Sequence, residues 1–129
     1  MAIGQQIIDK AVCEGRSLLT EIESKELLKR AGISVIDTVL AKSREEAIST
    51  SQRFGFPVVL KIASPDVVHK SDAGGVKLGL KTANQVGKAY DGIVRAISRE
   101  YPQAMLQGVS VQKMARSGVE VIIGMSKDA

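Results

Sequence analysis

The sequence predicts an α/β (α+β) fold in which helices pack on one face of a mixed or largely antiparallel sheet. Three observations support this prediction. Segments with helical and strand periodicity follow one another in the order α-α-β-α-β-β-α-β-β. Only one helical crossover separates each strand pair, which favours this architecture. The 129 residues are 44% hydrophobic and 25% charged, enough for one core, so we expect a single domain over residues 1–129.

The first two elements are predicted to be helices. Apolar residues recur at helical spacing near the start and predict a helix ending near Gly15: Ile3, Ile7, Ile8, Ala11 and Val12. Residues 1–18 are therefore expected to form an N-terminal helix and linker within the domain. Thr20 followed by Glu23 is a capping-box pattern, which predicts a second helix that runs to Arg30.

Strands and capped helices then alternate. We expect a strand over residues 34–42, a helix that begins at Ser43 with Glu46 as its capping partner, and a strand over residues 57–63. Residues 64–75 form a long polar loop, and such loops inside compact domains are usually functional or disordered.

The remaining segments predict a strand, a helix and a hairpin. Residues 76–81 alternate like a strand, and Thr82 with Gln85 starts a third capped helix. Residues 105–114 and 119–125 read as two strands, which we expect to form an antiparallel hairpin.

Charge and composition limit the class of function. The net charge of +4 suits an anionic partner such as a phosphate ligand, a nucleic acid or an acidic protein, whereas the 3% aromatic content argues against a base-stacking surface. The single cysteine, Cys13, favours a reducing compartment. No run approaches the roughly 18 to 20 apolar residues of a membrane span. We therefore expect a cytoplasmic protein that binds neither membrane nor nucleic acid.

Lys61 is a charge in the middle of an apolar strand. Strand alternation places it with Val59 and Ala63 on one face and sends Leu60 to the other. A half-buried lysine is costly without a partner, and a nucleotide phosphate is one such partner. An ordinary salt bridge or a solvated sheet face is the alternative.

The loop after this strand holds further candidates. The Gly74-Gly75 pair can turn backbone N–H groups toward an anion, with Lys77 beside it, although the pair also suits a hairpin turn. His69, the only histidine, could accept a phosphoryl group or be a solvated loop residue. With one histidine and one cysteine far apart, a zinc site within this chain is not expected.

Polar residues in the last two predicted strands complete the candidates. Glu120 interrupts an apolar strand, where its carboxylate could accept hydrogen bonds from ribose hydroxyls or pair with a lysine. Gln112 and Met114 share one face of the preceding strand. Ordinary sheet surface is the alternative for all three.

These segments together resemble the ATP-grasp domain of ADP-forming (NDP-forming) acyl-CoA synthetases, including the acetyl-CoA synthetase beta subunit, which are relatives of succinyl-CoA synthetase. The motifs that carry the resemblance are PVVLK at 57–61, SPD at 64–66, HKSD at 69–72, GGVK at 74–77, VQKM at 111–114 and GVEV at 118–121. The resemblance extends from Thr20 to Asp128. It implies the small, N-terminal lobe of an ATP-grasp domain, and therefore only part of one.

The resemblance also implies a role for each matching residue. Lys61 would contact the α- or β-phosphate of ATP or ADP, and Glu120 would hold the ribose hydroxyls. His69 matches a histidine that similar enzymes are thought to use as a phosphoryl relay. The remaining nucleotide contacts would come from the loop through Gly74, Gly75 and Lys77, over the phosphates, and from the hinge at Gln112, Lys113 and Met114, against adenine.

An acid-thiol ligase of this kind converts acyl-CoA, ADP and phosphate into acid, CoA and ATP through phosphohistidine. The resemblance therefore implies a partner, either a CoA-binding and ligase subunit or domains that carry the other phosphohistidine, in a hetero-oligomeric full enzyme. It also implies Mg²⁺ with ligands outside this chain, so Asp66, Asp72 and Asp128 are assigned no metal. The 129-residue chain alone is expected to be inactive.

Two alternatives remain open at this point. One is a regulatory ATP-grasp-like module attached to a protein acetyltransferase. The other is a basic nucleic-acid-binding module, which only the net charge suggests.

Overall fold

The computed structural model describes residues 3–127, which form four helices and four strands. Asp128, for which no metal role was predicted, lies outside the described residues. The elements in chain order are α1 (Ile3–Cys13), α2 (Glu21–Arg30), β1 (Thr38–Ala41), α3 (Arg44–Phe54), β2 (Val58–Ala63), β3 (Val76–Leu80), α4 (Ala83–Glu100) and β4 (Gly108–Lys113).

The four strands form one antiparallel sheet in the order β1-β4-β2-β3. The last strand in the sequence is therefore internal. Gln112 of β4 pairs with Thr38 on one side and with Val59 on the other, and Lys61 of β2 lies between Ser110 and Val76. The predicted, largely antiparallel sheet is confirmed.

Helices α3 and α4 cover one face of this sheet and close the core. Alternate residues of β2 point into it, and Leu60 is fully buried. The helical periodicity of α4 buries Ile93 and Ile97 against the same face. Aliphatic side chains make up the buried cluster: Ala41, Ala47, Val58, Leu60, Ile62, Val67, Val86, Ala89, Ile93, Ile97, Val109 and Val111.

The predicted helix starts are confirmed at three positions. The side chains of Thr20, Ser43 and Thr82 each accept a hydrogen bond from the backbone N–H three residues later. At Thr20 the capping box is complete, because the Glu23 carboxylate also accepts the Thr20 N–H. Each bond satisfies a helix-end donor that would otherwise lack an intrahelical partner.

The second face of the sheet is reached by α2 through polar side chains. Nζ of Lys25 lies 2.7 Å from both Oγ1 of Thr38 on β1 and Oε1 of Gln112 on β4. Glu21 contacts Lys61 on β2. The sheet therefore has an aliphatic face under α3 and α4 and a charged face beside α2.

The predicted strand over residues 119–125 is wrong. Residues 114–127 contain no strand, and the side chains of Val119, Ile122 and Ile123 are more than 90% exposed. A hairpin would have to pair this segment with β4, but β1 and β2 already occupy both edges of β4. The other predicted strands shorten at their ends, and residues 34–37 and 105–107 lie outside them.

No helix in the described part of the chain, residues 3–127, combines the length and the apolar character that crossing a membrane requires.

Candidate functional site

Lys61 is paired with an acidic side chain on the charged face of the sheet. Its Nζ donates a 2.7 Å hydrogen bond to Oε1 of Glu21. Both side chains are only about a quarter exposed, at 23% and 25%. The salt bridge that was the alternative interpretation of Lys61 is thus present, and it must be included in any phosphate-binding role.

Glu21 lies among three lysines rather than one. Its Oε1 is 3.7 Å from Nζ of Lys25, and its Oε2 is 3.5 Å from Nζ of Lys70. Oε2 is buried and accepts no hydrogen bond from the described residues. As the first residue of α2, Glu21 is held in place by the capping box at Thr20.

The lysines determine the protonation of this carboxylate. Burial alone would raise the pKa of Glu21, but the hydrogen bond and charge of Lys61, followed by the charges of Lys70 and Lys25, hold that pKa below its usual value. Burial lowers the pKa of Lys25, and the charge of Glu21 opposes this effect. The carboxylate is therefore ionised at neutral pH and neutralises part of the lysine charge.

A cleft of about 490 Å³ opens over this ion cluster. It brings Lys61 together with the loop after β2, so that His69 and Lys70 line the same space as Glu21. His69 is exposed. The complete lining is Glu21, Lys61, Val68, His69, Lys70, Ser71, Asp72 and Val76.

The first part of the loop is anchored to the body of the domain. Ser64 Oγ donates to the Met105 carbonyl at 2.6 Å, and Asp66 Oδ2 accepts the Met105 N–H at 2.7 Å. Val67 is 2% exposed and belongs to the core. These contacts give Asp66 a structural role and present the next residues, including His69, toward the cleft.

The glycine pair is used for packing and loop closure. The N–H groups of Gly74 and Gly75 donate to the carbonyls of Ser71 and Lys70, at 3.2 and 2.7 Å, so neither is free to bind an anion. A Cβ on Gly75 would meet Cγ2 of Ile62 at 2.6 Å. The predicted nest of free N–H groups is thus absent from this conformation of the loop.

Lys77 lies apart from the cleft. Its register partner is Leu60, which points into the core, whereas the partner of Lys61 is Val76. Because directly paired residues share a sheet face, Lys77 lies on the helix-covered side of the edge strand β3, and it is exposed.

The predicted hinge residues lie at the end of β4: Gln112 and Lys113 are its last two residues, and Met114 follows it. Gln112, 8% exposed, is held by Lys25, while Lys113 and Met114 are exposed. The Met114 N–H donates to the Pro57 carbonyl, so the backbone groups of Lys113 point toward the β1 side. Thr38 with Gln112 is the last pair of the β1–β4 ladder, which leaves that side of Lys113 open to a ligand.

Glu120 lies in the irregular segment after the sheet. It is exposed and belongs to none of the four strands, so its predicted place on a sheet face is wrong. No group of three or more His, Cys, Asp and Glu side chains within residues 3–127 is arranged to hold a metal ion.

Sequence reasoning missed three residues of the cluster: Glu21, Lys25 and Lys70. The capping box at Thr20 does place Glu21 in the first turn of α2, where acidic residues are favoured by the helix dipole. However, its contact with Lys61 spans 40 positions, and no local pattern indicates it.

Comparison with known proteins finds matches along most of the chain. A family model described as an ATP-grasp domain matches residues 10–129. The acetate–CoA ligase [ADP-forming] I subunit beta of Pyrococcus furiosus is 43% identical over 128 residues, which are 99% of this chain and 55% of that protein. The 4-hydroxybutyrate–CoA ligase [ADP-forming] of Nitrosopumilus maritimus is 40% identical over 123 residues, 95% of this chain and 18% of that protein.

Solved structures agree with this match. The dinucleotide-forming acetyl-coenzyme A synthetase 1 of Ca. Korarchaeum cryptofilum, in complex with coenzyme A and Ca-AMPCP, has a TM-score of 0.85 and 46% identity, over 89% of this chain and 50% of that one. Another structure of that enzyme holds Mg-AMPPCP, with a phosphohistidine segment pointing towards the nucleotide binding site; its TM-score is 0.71 at 41% identity, over 90% of this chain and 47% of that one. The chain thus spans about half the length, or less, of the relatives it matches.

Proposed function

Because the chain belongs to the ATP-grasp domain family, we propose that it is the nucleotide-binding part of an ADP-forming acyl-CoA ligase. The observation that carries this proposal is the convergence of Lys61, Lys70 and His69 on one cleft. Phosphoryl transfer depends on positioning and on neutralising charge, and this cleft offers cations for both beside a nucleophilic imidazole.

In this proposal Lys61 and Lys70 bind the nucleotide phosphates. Each ammonium group has three N–H donors, so Lys61 can keep its bond to Glu21 and still donate to a phosphate oxygen. The backbone of Lys113, open past the end of β1, would receive the adenine base. Phosphates and base are thus proposed to lie along the charged face of the sheet.

His69 is proposed as the phosphoryl carrier at the cleft. A ring nitrogen of His69 would accept the phosphoryl group from the partner's phosphohistidine. The N–P bond on His69 would then break as a terminal β-phosphate oxygen of ADP forms the new O–P bond of ATP. The exposure of His69 supports this role, because a carrier must be reached by its donor.

Contacts from Gly74, Gly75, Lys77 and Glu120 would need rearrangement. The glycine amides would have to leave the carbonyls of Lys70 and Ser71, and Lys77 would have to reach around the edge strand. We propose these contacts only for a closed complex with the remaining lobe.

The partner and the metal lie outside the described residues in this proposal. Coenzyme A and Mg-AMPPCP appear together in a related enzyme, and two relatives are named as beta subunits. We therefore propose a CoA-binding and ligase part, in the same chain or on another subunit, and Mg²⁺ held by residues beyond this lobe.

The cytoplasmic location stays a prediction. The reported relatives are CoA ligases, so neither the acetyltransferase module nor the nucleic-acid module gains support.

Calorimetric titration with ADP tests the nucleotide site. Lys61→Ala should weaken ADP binding by about tenfold or more, because a charge-assisted hydrogen bond to phosphate is lost. Lys88→Ala, on exposed helix surface of α4, is the matched control and should bind like the wild type. Equal affinity of Lys61→Ala and Lys88→Ala, or no ADP binding by the wild-type chain, would refute the proposal.

The relay step has a separate test in the assembled ligase. Because the chain contains one histidine, any phosphohistidine found on it must be at position 69. Incubation of the complex with labelled ATP should place an acid-labile label on this chain, and His69→Asn should remove the label while preserving ADP binding. A label that persists in His69→Asn contradicts the relay role.

A further inference from the structure

Glu21 occupies the position between lysines that an anionic ligand would be expected to take. Its two oxygens face Nζ atoms of Lys61, Lys70 and Lys25 at 2.7 to 3.7 Å. The 2.7 Å contact with Lys61 is a charge-assisted hydrogen bond, and the contacts with Lys70 and Lys25, at 3.5 and 3.7 Å, are longer ion pairs. The Glu21 carboxylate therefore takes the place among the lysines that two oxygens of a phosphate group could take.

The charges of the cleft are balanced because of this residue. The lining contains two basic residues, Lys61 and Lys70, and two acidic residues, Glu21 and Asp72, so their formal charges cancel. A nucleoside diphosphate such as ADP brings at least two further negative charges close to Glu21. Since the site is largely shielded from water at Glu21 and Lys61, this repulsion is only partly screened.

We infer that Glu21 is a positioning residue that acts as the internal counter-ion of the phosphate site. It holds Lys61 and Lys70 in place before a nucleotide binds, and its negative charge repels the nucleotide phosphates, which weakens binding and favours nucleotide release. This inference rests on the proposed nucleotide-binding function. Its consequence is that the affinity for ADP is set below what the lysines alone would provide.

Glu21→Gln separates charge from shape. The amide keeps an oxygen that can accept the bond from Lys61 but carries no charge. We expect ADP binding to tighten by about three- to tenfold, because the phosphates then meet one more net positive charge. For the same reason, the affinity should fall more steeply with added NaCl than in the wild type. A residue that only supported α2 would weaken ADP binding when replaced and leave the salt dependence unchanged.

Glu26→Gln is the matched control. It lies on the same helix, and its carboxylate pairs with Arg30 at the surface, outside the cleft. Its ADP affinity should equal that of the wild type. If Glu21→Gln binds ADP equally or more weakly while Lys61→Ala binds more weakly than the wild type, the inference fails and the proposed function stands. If the wild-type chain binds no ADP, both fail.

A measurement on the wild-type protein decides the case in which Glu21→Gln does not fold. Carbon-13 NMR can follow the titration of the Glu21 carboxyl with and without saturating ADP. We expect ADP to raise the pKa of Glu21 toward its usual value, because phosphates engage Lys61 and Lys70 and add negative charge nearby. A pKa that ADP leaves unchanged overturns the inference.

Discussion

Lys25 and Gln112 are 87 positions apart in the sequence, yet Nζ of Lys25 donates a 2.7 Å hydrogen bond to Oε1 of Gln112. This bond ties α2 to the internal strand β4, next to the backbone proposed to meet adenine. Because Gln112 is almost completely buried, its amide oxygen depends on this donor.

Replacing Lys25 should therefore destabilise the domain. Lys25→Met keeps most of the side-chain volume but leaves the buried oxygen of Gln112 without its ammonium donor, which should lower the free energy of unfolding by about 1–3 kcal/mol. Urea denaturation measures this change. Lys29 lies on the same helix as Lys25 and makes an exposed 3.9 Å pair with Asp37. Lys29→Met should therefore stay within about 0.5 kcal/mol of the wild type. Equal losses in both variants would contradict the structural role of Lys25.

Two Gly→Ala substitutions should change stability in opposite directions. A Cβ on Gly75 would lie 2.6 Å from Cγ2 of Ile62, 3.0 Å from the Lys70 carbonyl oxygen and 3.2 Å from Cδ1 of Ile97, so Gly75→Ala should lower the melting temperature. Gly92 lies within α4 and has nothing within 4 Å of the modified position. Gly92→Ala should stabilise by about 0.4–1 kcal/mol, since alanine is the better helix former. Thermal unfolding monitored by circular dichroism compares the two variants. A melting temperature of Gly75→Ala equal to that of the wild type would show that the loop packs differently.

Two isoleucines differ in burial and should differ in energetic importance. Ile93 of α4 is 0% exposed in the core, and Ile122 is 99% exposed after the sheet. Ile93→Ala should cost about 2–5 kcal/mol through lost burial and the cavity left behind. Ile122→Ala should change stability by less than about 0.5 kcal/mol. A large loss at Ile122 in denaturant unfolding would mean that this segment packs on the domain.

The Arg16–Glu23 pair should give the domain an acid-sensitive contribution to stability. The hydrogen bonds of Arg16, 2.8 and 3.0 Å from the carboxylate oxygens, lower the pKa of Glu23 from its usual 4.5 to about 2. A lowered folded-state pKa stabilises the fold above the unfolded value, and the contribution is lost as the pH falls from about 4.5 toward about 2. Glu23→Gln keeps an oxygen for the capping box but not the charge.

Urea denaturation at pH 7 and pH 3 measures this contribution. The loss of stability on acidification should be smaller in Glu23→Gln than in the wild type. Glu26→Gln, whose carboxylate pairs with Arg30 at the surface, is the control and should follow the wild type. If all three proteins lose the same stability between pH 7 and pH 3, Glu23 does not contribute to the acid sensitivity of the fold.

The local patterns predicted most of the fold because the signals are short-range. Caps at Thr20, Ser43 and Thr82 and the alternation around Lys61 need only a few neighbouring residues, and all four are confirmed. The strand predicted around Val121 failed because its alternation and β-branched residues satisfy propensity without providing a partner. Which edge of a strand is free depends on topology, and no local window contains that information.

The site was predicted less completely for the same reason. Lys61 and His69 carry chemistry that is visible in the sequence, and the structure brings them to one cleft. Glu21 reaches Lys61 only because α2 lies on the charged face of the sheet, a contact that depends on tertiary packing. Gly74 and Gly75 were predicted to turn their N–H groups toward an anion because of their residue type. In the structure these N–H groups donate to the carbonyls of Ser71 and Lys70, and Gly75 packs against Ile62.

The internal position of β4 has a consequence for biosynthesis. A growing chain that has emerged only as far as α4 can form helices and the pairing of β2 with β3, but β1 has no strand to join until β4 emerges and inserts between it and β2. Non-local pairings of this kind close late because long loops must be ordered first. On the ribosome, the four-stranded sheet should therefore be completed in one late step, and apolar β-strand surface remains open to chaperones until then.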